Sequence, residues 1–495
     1  MAPTRISYPL RRSSFTPWPK TFGRSLPILT EPEAIALYHS GEKPTVQKLL
    51  ELDRKVEELQ KALAQKPLKN DPSTPSGMKP PYEKPPGKRR KKKPGRKEGH
   101  KGAHRPAPER IDETQIHTLS HCPQCAAPLG KPVATRERFT EDIPKVQPLI
   151  TKHIIEVFYC PQCHKSVEAP VEEALPKSTI GVRLLVETAY LHFYLGLPLR
   201  QIVAYLNACL SFPLSPGGLT LSWHRLAQIL SPWYEHLRAL VQTSPLLHID
   251  ETGWRVLGKS YWLWCFTSQT TKITYYLISP SRASPVLKKV LGKFFAGILV
   301  CDFFGAYNKI GALLKQRCLL HLLRDLIRTS VFHHNPEWKS FAKKLRRLVK
   351  DAFRLATRRS QLPAEVYPQR CQLIHQRLAA LFDPPYQDSH CLRLVKRLKR
   401  HQDELFTFLD HPEVPPDNNL AERMIRPAVI ARKNSYCNRS AKGAQTQAIL
   451  MSIFRTLHLQ KQDTITILEL ALRTYCKNGS LPSPLKLEEK ISLAA

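Results

Sequence analysis

A pair of apolar runs, each ending on an acid, constrains the fold of this chain more than any other feature. The first, Leu246-Leu247-His248-Ile249-Asp250-Glu251, passes through Thr252 and Gly253 and resumes as Trp254 and Val256. The second is Gly297-Ile298-Leu299-Val300-Cys301-Asp302. Both read as buried strands that deliver an aspartate to a sheet surface. Between them, residues 261–267 and 272–278 are rich in aromatic and β-branched side chains and are joined by the polar Ser268-Gln269-Thr270-Thr271, a strand pair. Residues 284–291 carry a helical pattern. A meander of three strands followed by a helical crossover sets the first and fourth strands side by side. Asp250 and Asp302, 52 positions apart, would then meet.

A third stretch, Asp417-Asn418-Asn419-Leu420-Ala421-Glu422-Arg423-Met424-Ile425-Arg426-Pro427, places Glu422 in a helix. Asp417 is a good N-cap, and Pro427 is expected to stop or kink the helix after Arg426. Two strand-end aspartates and a helical glutamate are the oxygen donors that a two-metal phosphoryl-transfer site requires. Magnesium, or manganese in its place, is hard and takes such ligands. Glu251 is the neighbouring decoy, because alternation along a strand turns it to the opposite face from Asp250.

These three stretches, with Arg432-Lys433-Asn434 just beyond the third, resemble the insertion sequence 66 family of transposases over most of the chain, from about residue 45 to about residue 475. The resemblance implies an Asp-Asp-Glu triad of Asp250, Asp302 and Glu422 on an RNase H-like fold, consistent with the strand and helix order above. It also implies self-association and small accessory proteins of the element. Arg317-Cys318-Leu319-Leu320-His321-Leu322-Leu323-Arg324 is similar to the family's Cys-x-x-His motif at strand five. Asp325 departs from the basic residue expected there, and Cys318 and His321 lack further ligands for a metal role.

Lys and Arg number 76 against 41 acids, a formal net charge of +35. That excess favours a polyanion, and DNA is the first candidate. A membrane is the rival, but no apolar run is long enough to span one. Residues 1–43 read as a disordered basic arm; a transit peptide has a similar composition, but Pro9, Pro17, Pro19 and Pro27 would break its helix. In residues 44–66, Leu49, Leu52, Val56, Leu59 and Leu63 follow heptad spacing. This suits a short coiled coil or an amphipathic helix packed on its own chain; the family resemblance favours the former and a homo-oligomer. Residues 67–114 are a Pro-rich basic linker holding Lys88-Arg89-Arg90-Lys91-Lys92-Lys93, suited to phosphate contact without sequence reading.

Cys122-Pro123-Gln124-Cys125 and Cys160-Pro161-Gln162-Cys163 give residues 115–175 the pattern of a zinc ribbon. Four thiolates close a tetrahedral shell for structural Zn2+; redox chemistry, the usual alternative for a single such motif, does not call for a matching pair. The other eight cysteines lack framework spacing, which suits a reducing bacterial cytoplasm, with the protein nucleoid-associated through DNA.

Residues 176–243 are helical, and Leu199 to Leu206, a Pro/Gly turn, and Leu219 to Leu226 are compatible with a helix-turn-helix or with a plain helical hairpin. The catalytic core is expected over 244–435, with a helical insertion at about 326–412 that explains the 120 positions from Asp302 to Glu422. Residues 436–495 hold C-terminal helices. The fold expected is thus α/β, an RNase H-like mixed sheet with a helical insertion behind a zinc ribbon, a helical region and a coiled coil.

The function expected is a DNA transposase that cleaves element ends and joins them to target DNA. Arg423, Arg426, Arg432 and Lys433 add candidate DNA contacts beside the basic run. A nuclease of the same fold without strand transfer, and an inactive zinc-ribbon regulator, are the alternatives; the complete triad speaks against the regulator. Replacing residues 88–93 with Gln should weaken binding to end and random DNA alike and flatten its salt dependence. Binding isotherms at several salt concentrations test this, and a loss confined to end DNA would show that the run reads sequence.

Overall fold

The structure, a computed structural model, describes residues 39–41, 47, 106–144 and 146–483. The chain divides into units spanning residues 1–71 and 72–495, and the elements and candidate sites described below lie in the second. The basic arm and the coiled-coil segment, apart from those few residues, and the run 88–93 lie outside the described residues.

A five-stranded mixed sheet forms the centre, in the order β5-β4-β3-β6-β7. β3 (Leu246–Val256), β4 (Lys259–Ser268) and β5 (Ile273–Ser279) are an antiparallel meander. β6 (Phe294–Cys301) returns through helix α5 (Ser284–Leu291) to pair parallel with β3, and β7 (Gly311–Arg317) pairs parallel with β6. The expected adjacency of the first and fourth strands of the sheet is therefore present. The turn from β3 to β4 is the two-residue Leu257-Gly258, both at positive φ (51° and 73°), which matches the twist of a tight hairpin. Gly297 permits the close approach of β6 to the start of β3: a Cβ there would lie 2.5 Å from the Ser244 carbonyl oxygen and 2.8 Å from that of Pro245.

Helices pack on this sheet in two clusters. The first joins α1 (Val182–Ala189, continued as a π-helical turn through Tyr194), α2 (Leu199–Leu210), α3 (Pro216–Ile229) and α4 (Ser231–Gln242) to one core with the sheet. α11 (Asn419–Ser435), α12 (Ala441–Leu459) and α13 (Thr464–Asn478) belong to that same core. α2 and α3 are the helices of the candidate DNA-reading pair. α3 exposes Gly217, Gly218 and Leu221 near its start, whereas Trp223, Leu226 and Ala227 are buried and Arg225 donates to the Pro176 carbonyl at 2.6 Å. α12 closes the β5 edge with side chains: Ser452 Oγ accepts the Tyr276 N–H at 2.8 Å, and Thr456 Oγ1 accepts that of Thr274 at 3.0 Å. An edge strand is thereby denied to other chains.

The second cluster is the insertion. α6 (Leu319–Phe332), α7 (Pro336–Thr357), α8 (Val366–Ala379), α9 (Ser389–Arg400) and the short α10 (Thr407–Asp410) gather around Trp338, Phe341, Leu345 and Phe406. It is fastened to β7 by Arg317, whose fully buried side chain pairs with Glu404 at 2.6 Å and donates to the Asp302 carbonyl and Asn308 Oδ1, each at 2.8 Å. Burial alone would raise the Glu404 carboxyl, but His401 and Arg317 outweigh it and hold it down at about 2.

Among the described residues, no helix is long and apolar enough to cross a membrane, and all twelve cysteines are free.

Glu404→Gln should lower the thermal midpoint at neutral pH, because it leaves the buried Arg317 charge without its carboxylate; breaking such a pair costs about 3 kcal/mol. The folded pKa lies below the ordinary 4.5, so the stabilisation is full above 4.5 and fades as pH falls through about 2. Melting curves of both proteins across that range should converge at the acid end; a pH-independent gap would show that the charge is not the cause.

Candidate active site and zinc-finger knuckles

The register between β3 and β6 sets the candidate site. Leu246 pairs with Ile298, Leu247 with Leu299 and His248 with Val300, a constant offset of 52. Continued by two residues, the same offset aligns Asp250 with Asp302 on one face of the sheet. Neighbouring strands run about 4.8 Å apart, so this register carries the two aspartates out of the paired segment side by side. Asp302 follows β6 directly, as expected, but Asp250 lies in the middle of β3 and not at its end, because the hairpin with β4 carries the strand on to Val256. The parallel pairing itself ends at His248 with Val300, two residues before Asp250.

Both carboxylates are oriented by backbone amides. Asp250 Oδ1 accepts the Glu251 N–H at 2.9 Å, and Asp302 Oδ1 accepts the Phe304 N–H at 2.8 Å. Burial, followed by the negative charges of Glu251, Asp302 and Glu422, pushes the Asp250 carboxyl well above its ordinary range. Burial and Glu251 likewise push Asp302 up to about 7. Asp250 thus lies in the field of the other two acids. The three acids offer oxygen donors, and that donor set fits hard divalent cations.

Glu422 stands in the first turn of α11, whose start is tied to β3 by Asn418. The Asn418 amide donates to the Ile249 carbonyl at 2.7 Å, its Oδ1 meets His248 Nδ1 at 3.1 Å, and its backbone N–H reaches Cys318 Sγ at 3.2 Å. Asn418, not Asp417, is the N-cap residue; Asp417 Oδ1 accepts the Asn419 N–H at 2.9 Å from just outside the helix. The helix also runs on through Pro427 to Ser435 instead of stopping. Loss of one N–H is offset at its far end, where the Arg432 guanidinium bonds to the Gly253 carbonyl and to Thr252 Oγ1. Arg432, a candidate DNA contact in the sequence, is therefore spent on β3. Arg423, Arg426 and Lys433 on the same helix are exposed.

Glu422 does not share a tight point with the two aspartates. Arg324 on α6 donates to both of its oxygens, at 3.1 and 3.2 Å, and His321 Nε2 lies 3.7 Å from Oε1. Cys318, His321 and Glu422 bring ligand atoms within 4.8 Å of one another. Sequence reading found no further ligand for Cys318 and His321; the docking of α11 on α6 supplies one. Burial, and then Arg324 and Arg328, depress His321 to about 4, so its ring is neutral.

Two more residues were not legible as partners in the chain. Glu251 turns to the opposite face from Asp250, as alternation requires, but it is no bystander: it is buried, pairs with Arg282 at 2.7 Å and accepts from the Tyr307 hydroxyl. Asp325, the departure from the expected basic position, pairs with Arg397 at 2.8 Å and clamps α9 to α6.

The cysteine pairs occupy two matching turns. Cys160 ends β1 (Val157–Cys160), which pairs antiparallel with β2 (Lys165–Glu168), and Cys163 lies in the turn between them. Around the first pair, the Cys122 N–H donates to the Ala127 carbonyl and the Ala126 N–H to the Cys122 carbonyl, both at 2.9 Å. The residue after each second cysteine, Ala126 (φ 59°) and His164 (φ 52°), is left-handed. The N–H groups of Cys125 and Gln124 lower the Cys122 thiol, and those of Cys163 and Gln162 lower Cys160. Tight turns that aim amides at sulfur suit zinc thiolates. Each pair closes on itself, and no three of the four sulfurs lie within 4.8 Å of one another.

A family model described as "Transposase IS66 family" matches residues 177–446, more than half of the chain. The chain belongs to the IS66 transposase family. A second model, the zinc-finger binding domain of transposase IS66, matches residues 120–164, the span of both cysteine pairs, and supports structural Zn2+. The matched core takes in the sheet, the insertion and all three acids. This IS66-family chain is also 24% identical over 380 residues to a curated relative described as uncharacterized protein y4jD, from Sinorhizobium fredii (strain NBRC 101917 / NGR234). The alignment covers 69% of this chain and 72% of that one. Transposase and zinc-finger domains together imply a DNA-acting protein.

The purified protein should carry one tightly held zinc per chain through the four cysteines, and Cys160→Ser should lose it. Elemental analysis decides this, and unchanged zinc in the variant would remove the site.

Proposed function

We propose that this transposase cleaves DNA at the ends of its element and joins the freed ends to target DNA, using Asp250, Asp302 and Glu422 in one magnesium-dependent site. The observation that carries the reading is the β3–β6 register, which aligns Asp250 with Asp302 while α11 brings Glu422 into the field of Asp250. The strand order β5-β4-β3-β6-β7, with a helical insertion before the acidic helix, supports an RNase H-like core.

In the first displacement, water attacks a phosphodiester at an element end and frees a 3′ hydroxyl. In the second, that hydroxyl attacks target DNA in the same site. The chemistry that a pair of divalent ions supplies here is activation of the attacking oxygen and stabilisation of the leaving one. Asp250 and Asp302 stand ready, each fixed by one backbone amide. Glu422 must exchange Arg324 for the shared site, which frees the Arg324 guanidinium beside the incoming phosphate. Exposed Arg423, Arg426 and Lys433, with the basic run 88–93, hold the DNA backbone, and the zinc ribbon and the α2–α3 pair take part in binding ends. Self-association of the chain pairs two ends.

Asp250→Asn, Asp302→Asn and Glu422→Gln keep shape while removing one anionic ligand each. Each should retain DNA binding and lose cleavage and strand transfer by about a thousandfold or more, since one site serves both displacements. Labelled element-end DNA with magnesium, with binding measured in parallel, tests this; substantial cleavage by Asp302→Asn would sink the assignment. Glu251→Gln is a poor control, because it uncouples a buried ion pair with Arg282.

A further inference from the structure

Where the N-termini of α6 and α11 meet, the transposase assembles a ligand set chemically unlike the aspartate pair. Cys318 is the N-cap of α6, His321 stands one turn in, and Glu422 faces both from α11, with one ligand atom of each within 4.8 Å of the others. His321 Nδ1 is buried and has no hydrogen-bond partner. Cys318 Sγ accepts the Asn418 N–H; burial outweighs that contact and pushes the thiol up to about 12, so it holds its proton until an ion displaces it. A tetrahedral zinc-type ion would bring these atoms to about 3.3 to 3.6 Å from one another, a contraction of roughly 1 Å.

We propose that Cys318, His321 and Glu422 form a binding site for a soft divalent transition metal, of which zinc is the type, and that its occupation switches DNA cleavage off. Thiolate and imidazole select such ions over magnesium. The inhibitory part rests on reading Glu422 as a magnesium ligand: one carboxylate committed to Cys318 and His321 cannot also serve Asp250 and Asp302. Water completes the coordination, and binding expels the thiol proton to solvent. Arg324 is the built-in competitor, since its guanidinium must leave Glu422 before the ion is held. Strong DNA phosphate contact by Arg324 would have the same effect, so DNA and metal are coupled through one side chain.

The test is cobalt(II) titration of the full-length protein, read as the number of ions bound and the intensity of sulfur-to-cobalt charge transfer. Wild type should bind one ion more than Cys318→Ser or His321→Gln, with the zinc-ribbon equivalents unchanged in all three. Equal stoichiometry in wild type and either folded variant overturns the site. In magnesium-dependent cleavage, the zinc concentration that halves each protein's own uninhibited rate should rise at least about tenfold in Cys318→Ser. An unchanged half-inhibiting concentration overturns the switch. Retained cleavage by Glu422→Gln would overturn the catalytic reading instead, and the cobalt count would still stand or fall by itself.

Discussion

The parallel pairing of β3 with β6 is the constraint on which the rest of the molecule depends. An offset of 52 between paired residues is set by apolar side chains, Leu247 and Ile249 with Leu299 in one core cluster and Leu246 with Ile298 and Val300 in the other, and by a glycine that lets the backbones close. A slip of one residue would turn every side chain of one strand to the other face. Asp250 would then point where Glu251 now pairs with Arg282. The core therefore selects the position of the acids, and the acids add repulsion that the core must outweigh. Burial first, and then neighbouring carboxylates, raise both acids above their ordinary range.

The third acid is positioned by a different device. A helix laid across a sheet is free to slide unless polar contacts pin it, and α11 is pinned at both ends. Asn418 grips β3 and the start of α6 at one end, and Arg432 reaches the β3 backbone at the other. Glu422, one turn from Asn418, inherits this precision. The N-terminus of α11 also contributes a favourable field for nearby carboxylates, worth a few tenths to about 1 kcal/mol. That Glu422 rests on Arg324 makes electrostatic sense: three carboxylates without cations would be costly, and a guanidinium relieves one of them.

The strands, the polar connection between β4 and β5, and the crossover were legible because each depends on residues a few positions apart. Alternation placed Glu251 opposite Asp250 for the same reason. The continuation of β3 past Asp250 was not legible, since it depends on β4 pairing with Trp254 and Val256 across a turn that asks Leu257 to adopt positive φ. Nor could the chain reveal what Asn418, Arg432 and Asp325 do. Their partners lie more than 70 positions away, and as isolated residues they look like a turn residue, a DNA contact and a misplaced acid. The meeting of Cys318, His321 and Glu422 was hidden likewise, because it exists only once α11 docks on α6.

Charge is sorted by the fold as well as counted. The acids nearest the core are consumed internally: Glu404 by Arg317, Asp325 by Arg397, Glu251 by Arg282 and Asp388 by His333. Each of these fastens one element to another, and each withdraws a negative charge from the surface. The cations left over face outward. On α7, Lys339, Lys343, Lys344 and Lys350 are exposed beside Arg347 and Arg354, which share Asp351, and on α9 Arg393, Lys396, Lys399 and Arg400 are exposed. Along a helix these recur every three or four residues, a spacing that makes a stripe instead of a scatter. These exposed cations give the insertion a positive field that extends about a Debye length, roughly 8 Å at physiological salt. Arg317 fastens the insertion to β7 and Asp325 fastens α9 to α6 within it, so the stripe is tied to the sheet that carries Asp250 and Asp302.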